Sequence, residues 1–509
     1  MEKTAFLGFG RPLGARTIFA EGDFSLGELL PESFVKSEME FWHVPGLAVS
    51  VQKEGETVLS RGYGFSDVEA KTPVTPETQF GIASCSKSFT SAVIAMLVDE
   101  GLVGYDTPVV DYLPDFRLYD PVATAQVTLR DMLCHRTGLG GHDSMWPDTI
   151  TREEFMRRLR YLQPSAPFRS KPQYSNVMYT VIGHIAERLT GKSWEELVRE
   201  RILEPLSMGR TNCSLDKMKR TPNHAEPYLY RNGKLEHLAM WNVDLAGPAA
   251  SINSTVEDLS KWLEFHIRGG VTPDGKRLIS EANMREMHTA QVAYDTVPWD
   301  FPEVASHGGY GMAWVAEQYR GLPLQSHLGE IEGYCALEAF LPQQKISVAM
   351  LMNRHKPCVP IIYTLLYTLI DRMLDFPEVD WPARIHPERD HYTNFYYDWD
   401  LNLMPESPVP GTHPSHPVEA YAGLYHSDGY GNVRVLVRDG QLFLQYKDRT
   451  LPLEHFHYDV FRVREMKEDT LIITMPLAFQ TGILSGSIES LLLRLEPMVD
   501  DIVFRRTEE

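Results

Sequence analysis

Cysteine is scarce in this chain: five in 509 residues, namely Cys85, Cys134, Cys213, Cys335 and Cys358. Their odd number and irregular spacing exclude a metal-ligand pattern and a disulfide framework, and favour a reducing compartment. Excess positive charge is also lacking. With 69 acidic against 49 basic residues the formal charge is −20, which argues against nucleic acid or an anionic membrane as partner. Long apolar runs are missing. Met1 to Arg11 holds no apolar core of signal-peptide length, so a cytoplasmic chain is expected. The most apolar stretch, Val359 to Ile370, stops at Asp371-Arg372. It falls short of the ~20 residues of a membrane span and reads as a buried helix with Pro360 in its first turn. What remains is a large soluble chain of two or three domains, long enough to bury a core.

The most informative stretch is Ala83 to Thr90, where Ser84 and Lys87 stand three apart. The strand-like Gln79-Phe80-Gly81-Ile82 precedes it, and a helical pattern runs on to Glu100-Gly101, a usual helix stop. Residues i and i+3 share a helix face, so the Lys87 amine reaches the Ser84 hydroxyl. An amine beside a hydroxyl at a helix N-terminus is one way to activate a serine nucleophile. The bland alternative is an N-cap serine with a solvated lysine. Ser33 with Lys36 and Ser214 with Lys217 match the same spacing, but in an acidic amphipathic segment and in a loop.

Two further motifs lie downstream. Tyr174-Ser175-Asn176 follows a turn-like, proline-bounded segment and precedes a helical run from Val177 to Ile185. His327-Leu328-Gly329 sits between apolar strand-like runs, whereas the rival His307-Gly308-Gly309 precedes a strand expected from Tyr310 to Val315. In order, Ser-x-x-Lys, Tyr-x-Asn and His-x-Gly resemble the three motifs of the penicillin-recognising serine hydrolases. The branch they resemble contains class C β-lactamases, D-alanyl-D-alanine carboxypeptidases and β-lactamase-fold esterases. The segments Val127 to Leu139, Glu204 to Thr211 and Ala246 to Leu259 resemble stretches of that branch, in the same order. The resemblance covers about residues 40 to 355.

It implies an α+β fold: one β-lactamase/transpeptidase-like antiparallel sheet flanked by helices, with the cleft between sheet and helical region. The pattern supplies strands at Leu47–Lys53 and Glu56–Gly62 around Glu54-Gly55, and more between Met312 and Met352. The hydrolase domain is expected over 1–400, a proline-rich linker over 401–417 and an all-β domain over 418–509. In the last, Asp439-Gly440 joins two strands with the strongest two-residue hairpin signal. Regular short strands there suggest a small barrel or a sandwich. Val418 to Gly431 resembles the lipocalin-like barrel appended to some of these hydrolases.

The resemblance implies that Ser84 attacks a carbonyl and forms an acyl-enzyme, with Lys87 and Tyr174 handling protons, in an unsettled order. The oxyanion would lie between the backbone amides of Ser84 and Glu330. Asn176 would hold the substrate's acyl-side amide or orient Lys87, and His327 and Gly329 would line the binding strand. No cofactor and no metal are implied. His327 stands where class C β-lactamases have lysine, which makes efficient β-lactamase activity unexpected. Glu330 and Glu332 either receive a substrate ammonium group or face solvent. Three readings follow. One is a hydrolase of amides or esters of small molecules or short peptides. Another is an acyltransferase on the same acyl-enzyme, and the third a silent binding or filament-forming relative. A homo-oligomer is compatible with each. His455-Phe456-His457 is a candidate for a barrel segment that narrows the cleft, or else part of the barrel's own core.

Overall fold

Almost every residue of the runs Gly46–Lys53, Tyr334–Leu341 and Ile346–Met352 is buried, as befits strands covered on both faces. A computed structural model describes residues 29–389 and 407–507, apart from 146–149, 232, 296–298, 300, 306, 448, 468 and 469. These three strands form the middle of a nine-stranded sheet. One flank is built by Glu56–Asp67 and Thr72–Pro73, the other by Leu322–Ile331, Val315–Tyr319, His307–Tyr310 and Val292–Asp295. Every pairing in it is antiparallel. Gly46–Lys53 lies beside Ile346–Met352, with Val49 opposite Met350, so distant parts of the chain meet at the centre. Alternation along the strand sorts the faces. Leu47, Val49 and Val51 pack with the helices Glu32–Phe41 and Val359–Met373. Ala48 and Ser50 face the other way, where Ser260 of the helix Val256–Ile267 donates to Ser50 Oγ at 2.8 Å. The expected sheet with flanking helices is therefore present. His307 itself begins a strand instead of preceding one, because its segment pairs with Val292–Asp295.

In chain order the helical region falls between the sheet strands Thr72–Pro73 and Val292–Asp295. The helix Ser86–Asp99 is buried on nearly every side, and the helix Asn176–Thr190 packs near it. That second packing is close because Gly183 has no side chain: a Cβ there would stand 2.1 Å from Pro248 Cγ. Pro248 belongs to the short helix Gly247–Ala250, whose Pro248 carbonyl accepts from Thr90 at 2.7 Å.

Residues 423 to 507 form eight antiparallel strands closed into a barrel, the first pairing with the last through Tyr425 and Arg506. Closure selects the barrel over the sandwich. Asp439 and Gly440 both take positive φ, 51° and 75°, as a type I′ hairpin turn demands. The helix Val418–Tyr421 plugs one end, where Tyr421 packs on Phe461 and Phe479 and donates to Asp459. Of the expected linker, 401–406 lie outside the described residues, as do Met1 to Arg11. Ser415 and His416 are tied to the barrel through Asp459, Tyr421 and Thr481.

The barrel's other end is pinned to the first domain. Lys447 donates to the Ser144 carbonyl, and the Glu496 carboxylate accepts from the His142 backbone amide. His142 Nε2 faces the Gln163 carbonyl at 2.9 Å and so carries the ring proton, which leaves Nδ1 to accept from the Tyr430 hydroxyl.

One expectation drawn from the cysteines is corrected. Cys335 and Cys358 form a disulfide between a central strand and the start of the helix Val359–Met373, so the argument for a reducing compartment loses its footing. Cys85, Cys134 and Cys213 are free and buried. No helix among the described residues is long and apolar enough to cross a membrane.

Gly183→Ala should lower stability by about 1–3 kcal/mol, the usual cost of forcing a methyl group into a filled contact. The denaturation midpoint in urea measures it. An unchanged midpoint would mean that the helix Asn176–Thr190 shifts freely away from Pro248.

Candidate active site

Ser84 occupies a 3₁₀ turn, Ala83–Cys85, that feeds the helix Ser86–Asp99. The turn is tied to the segment before Asn253–Ser254: Ile82 donates to the Ile252 carbonyl, and Ser86 Oγ accepts from the Ile252 amide. Lys87, one turn on, is wholly buried. Its Nζ stands 2.9 Å from Ser84 Oγ and donates to the Ala249 carbonyl at 3.0 Å. The solvated-lysine alternative is thereby set aside. Burial pulls the Lys87 pKa down to about 7, against the opposing pull of Asp143. A neutral amine at this distance is able to take a proton from a serine hydroxyl.

Tyr174 lies above the lysine, whose Nζ sits 4.8 Å from the ring centroid. Burial pushes the phenol well above its usual pKa, and a hydrogen bond with Ser84 works the other way. Its position is set by His135, which brackets it in the chain: the His135 carbonyl accepts from Gln173 N at 2.6 Å, and Nδ1 accepts from Ser175 N at 3.1 Å. The rings of His135 and Tyr174 lie 4.3 Å apart. Asp131, buried and capping the helix Leu129–Leu133, draws in Arg136 and Arg169 from the loops on either side.

The His135 contact also fixes a line of protons. Since Nδ1 accepts, Nε2 carries the proton and faces the Tyr310 hydroxyl at 3.2 Å. Tyr310 donates in turn to His327 Nε2 at 2.9 Å, because His327 Nδ1–H is engaged by the Leu328 carbonyl at 2.6 Å. Burial and the nearby Lys87 hold His327 down to about 3, and His135 well below its usual value. Both imidazoles are neutral, and the Tyr310 and Leu328 contacts occupy both ring nitrogens of His327. The strand thus offers no cation here for a substrate carboxylate.

Asn176, first residue of its helix, donates through Nδ2 to Asp143 at 3.1 and 3.3 Å. Of the two roles foreseen, orientation of Lys87 is not the one its bonds serve. A carboxylate only accepts, so the amide orientation is fixed, and Asn176 Oδ1 is buried without a partner. Gly329 is a steric requirement: a Cβ there would stand 2.0 Å from the Ile82 carbonyl oxygen and 3.2 Å from Ser84 N. The strand Leu322–Ile331 therefore runs directly past the Ser84 amide.

A cavity of about 1340 Å³ joins these parts, bordered by Ser84, Asp143, Tyr174, Asn176, His327 and Glu330. Glu332 borders it as well, and both glutamates are half-buried. Gly329 abuts the site from behind, and the structure so brings every predicted site residue to one place. Sequence reasoning missed His135, Asp143 and Tyr310. His135 lay inside a segment quoted for its family look, and that was its only signal. Among the described residues, the one group of possible metal ligands is Glu330 with Cys335 and Cys358, and its two sulfurs are joined to each other.

His455, Phe456 and His457 do not border the cavity. They end the strand Arg449–His457 at the plugged end of the barrel, where Phe456 is buried and His455 bonds the Tyr458 carbonyl. The barrel segment that does reach the cleft carries Tyr446, Lys447 and Arg449.

Comparison with known proteins agrees with this architecture. The Beta-lactamase family model matches residues 32–364, and that of a domain of unknown function (DUF3471) matches 407–506. The chain is similar to the Unguisins hydrolase ungD' of Aspergillus campestris, at 29% identity over 449 residues, covering 84% of this chain and 82% of the relative. Penicillin-binding protein 4 of Amycolatopsis lactamdurans is 28% identical over 324 residues, covering 61% and 81%. Among solved structures, the octameric penicillin-binding protein homologue from Pyrococcus abyssi superposes with a TM-score of 0.57 at 24% identity, over 95% of this chain and all of that one. D-amino acid amidase from Ochrobactrum anthropi, complexed with L-phenylalanine amide, gives 0.57 at 21% over 69% and 99%.

Asp143 favours the charged form of Lys87, so removing its charge should lower the lysine pKa further. Asp143→Asn should move the acid limb of Ser84 acylation by an activated ester to lower pH. Stopped-flow acylation rates between pH 5 and 9 measure this. A limb that stays in place would remove Asp143 from the electrostatics of the lysine.

Proposed function

The chain belongs to the Beta-lactamase family, and we propose that it is a serine hydrolase that cleaves amide or ester bonds of small molecules or short peptides through an acyl-enzyme on Ser84. The observation that carries this reading is the buried Lys87 amine, 2.9 Å from Ser84 Oγ with a pKa near 7. Such a base is poised where proton abstraction is efficient at neutral pH. Lys87 takes the hydroxyl proton as Ser84 Oγ bonds to the substrate carbonyl carbon. The phenol of Tyr174, held protonated by its burial, serves as the acid: it gives its proton to the leaving nitrogen or oxygen and is refilled from Lys87. Water then attacks the acyl-enzyme by the reverse path and frees Ser84. The backbone amides of Ser84 and Glu330 are the proposed oxyanion donors. The close pass of Gly329 beside Ser84 N supports that assignment.

Two acceptor-bearing residues, Asp143 and Asn176 with its unpartnered Oδ1, border the same cavity as Ser84. They favour a substrate with an N–H or ammonium group near the scissile carbonyl, and hence an amide or peptide. His327, neutral and with both nitrogens engaged, fits poorly with a penicillin-like carboxylate. Among the similar proteins, one is named a hydrolase of unguisins and another a D-amino acid amidase; the first name agrees with hydrolysis and the second with an amide substrate.

Ser84→Ala should reduce turnover ~10³-fold or more while the fold persists. A fluorescent acylating probe, mapped by mass spectrometry, should label Ser84, and a label on Ser86, Ser33 or Cys85 would refute the assignment. Release of free acid, with no transfer to added amines or alcohols, checks the hydrolytic half.

Lys87→Ala and Tyr174→Phe should each lower kcat by ~10²-fold or more. If the two hand over one proton, the double variant costs far less than the product of the singles. A fully multiplicative loss in kcat would mean that they act separately.

A further inference from the structure

The cavity at Ser84 does not end at the first domain. Leu444, Leu451, Val463, Met475 and Leu493 of the barrel border the same space as Ser84 and Tyr174. The strand ladders place Leu444 opposite Leu451, and Val463 opposite Met475. Because side chains alternate across a strand, these residues form one aliphatic ring around the inside of the barrel mouth. Leu444, Val463 and Leu493 are at most 2% exposed, while Leu451 and Met475 are half-buried at the rim. The opposite end is closed by Tyr421, Phe461 and Phe479, whose rings lie 4.8 to 5.6 Å apart. The mouth is therefore a blind apolar pocket that opens toward the nucleophile.

An unfilled core is the bland account of such a space. Protein interiors, however, pack to crystal density and hold few voids. The whole cavity, about 1340 Å³, exceeds the ~300–1,000 Å³ usual for small-ligand sites. The mouth is also held in register with the cleft. Lys447, at the turn between the strands that carry Leu444 and Leu451, is fixed to the Ser144 carbonyl beside Asp143.

We infer that the barrel mouth is a substrate subsite, which receives an aliphatic or aromatic group carried several bonds away from the scissile carbonyl. The inference rests on the Ser84 hydrolase reading. The substrate it implies is amphipathic: a polar N–H-bearing end at Asn176 and Asp143, the reacting carbonyl at Ser84, and an apolar tail or side chain in the barrel. The barrel then has a direct part in selectivity, through the inside of its wall.

The test uses the full chain and p-nitrophenyl esters from acetate to dodecanoate. Each methylene that enters an apolar pocket is worth about three- to four-fold, so kcat/KM should rise at least ~10-fold from acetate to octanoate. Met475→Lys should abolish most of that gain and leave acetate within about two-fold of the parent. Leu451→Trp, which narrows the rim without adding charge, should do the same and decides the matter if the lysine variant fails to fold. Binding of dansylaminoundecanoate to the Ser84→Ala protein gives a readout free of catalysis. It should be lost with Met475→Lys or Leu451→Trp added. Acetate and octanoate turned over alike, with no probe bound, would overturn the subsite and leave the hydrolase reading intact. Probe bound at the mouth, with no ester turned over by the parent, would overturn the hydrolase reading instead.

Discussion

An ammonium group gives up its proton near neutral pH when water is kept from it, because desolvation penalises the charged form. Lys87 is in that situation, and much of the first domain serves to keep it so. The lysine is buried on its own helix, one of its N–H groups donates to the Ala249 carbonyl, and Tyr174 roofs it. Gly183 lets the helix of Tyr-x-Asn close on Pro248, one residue from that carbonyl. Gly329 lets the strand close on the turn of Ser84. Two absent side chains thus set how near three elements approach the amine. The cost of the arrangement is a set of buried polar groups, and most are satisfied in pairs: Asp131 with two arginines, His135 with two backbone groups and a phenol.

The second domain enters the site through one loop. The stretch from His142 to Ser144 donates an amide to Glu496, accepts a hydroxyl proton from Tyr430 and offers a carbonyl to Lys447. The same loop carries Asp143 to Asn176. Electrostatics at the lysine and the docking of the barrel are coupled by three consecutive residues. Burial depresses the His142 pKa to about 4, so the folded form prefers the neutral ring. The unfolded chain takes up that proton more readily, and this contact loses stability as pH falls from about 6.5 toward 4.

What the sequence disclosed was mostly local. Ser84 and Lys87 are three residues apart on a helix, and Tyr174 and Asn176 flank a helix N-cap, so their chemistry needs no knowledge of the fold. The individual strands and the Asp439-Gly440 hairpin are legible for the same reason, since period and turn chemistry are short-range, whereas the joining of distant strands into one sheet follows only from the family resemblance. The misses are long-range. Tyr310 meets His135 across 175 positions, and nothing in either neighbourhood announces the other. Cys335 and Cys358 are brought together by a strand that ends beside a helix start, which their spacing of 23 does not encode. His455-Phe456-His457 carries two imidazoles around an aromatic ring, which suits a cleft contact chemically, yet it lies at the plugged end of the barrel. Alternation tells which face of a strand is inward but never which end of a barrel points at a neighbour, and the contact is made at Tyr446 to Arg449 instead.

The contact between His142 and Glu496 joins residues 354 apart in sequence. During synthesis the Ser84–Lys87 pair leaves the ribosome long before the barrel that closes its cavity, and domains tend to fold as they emerge. At ~5–20 residues per second, tens of seconds separate the two events. Over that interval the nascent chain holds Ser84 and Lys87, gains the strand Leu322–Ile331 only later, and has no barrel to anchor the loop of Asp143. The barrel residues that border the cavity are therefore made after the helix that carries Ser84 and Lys87.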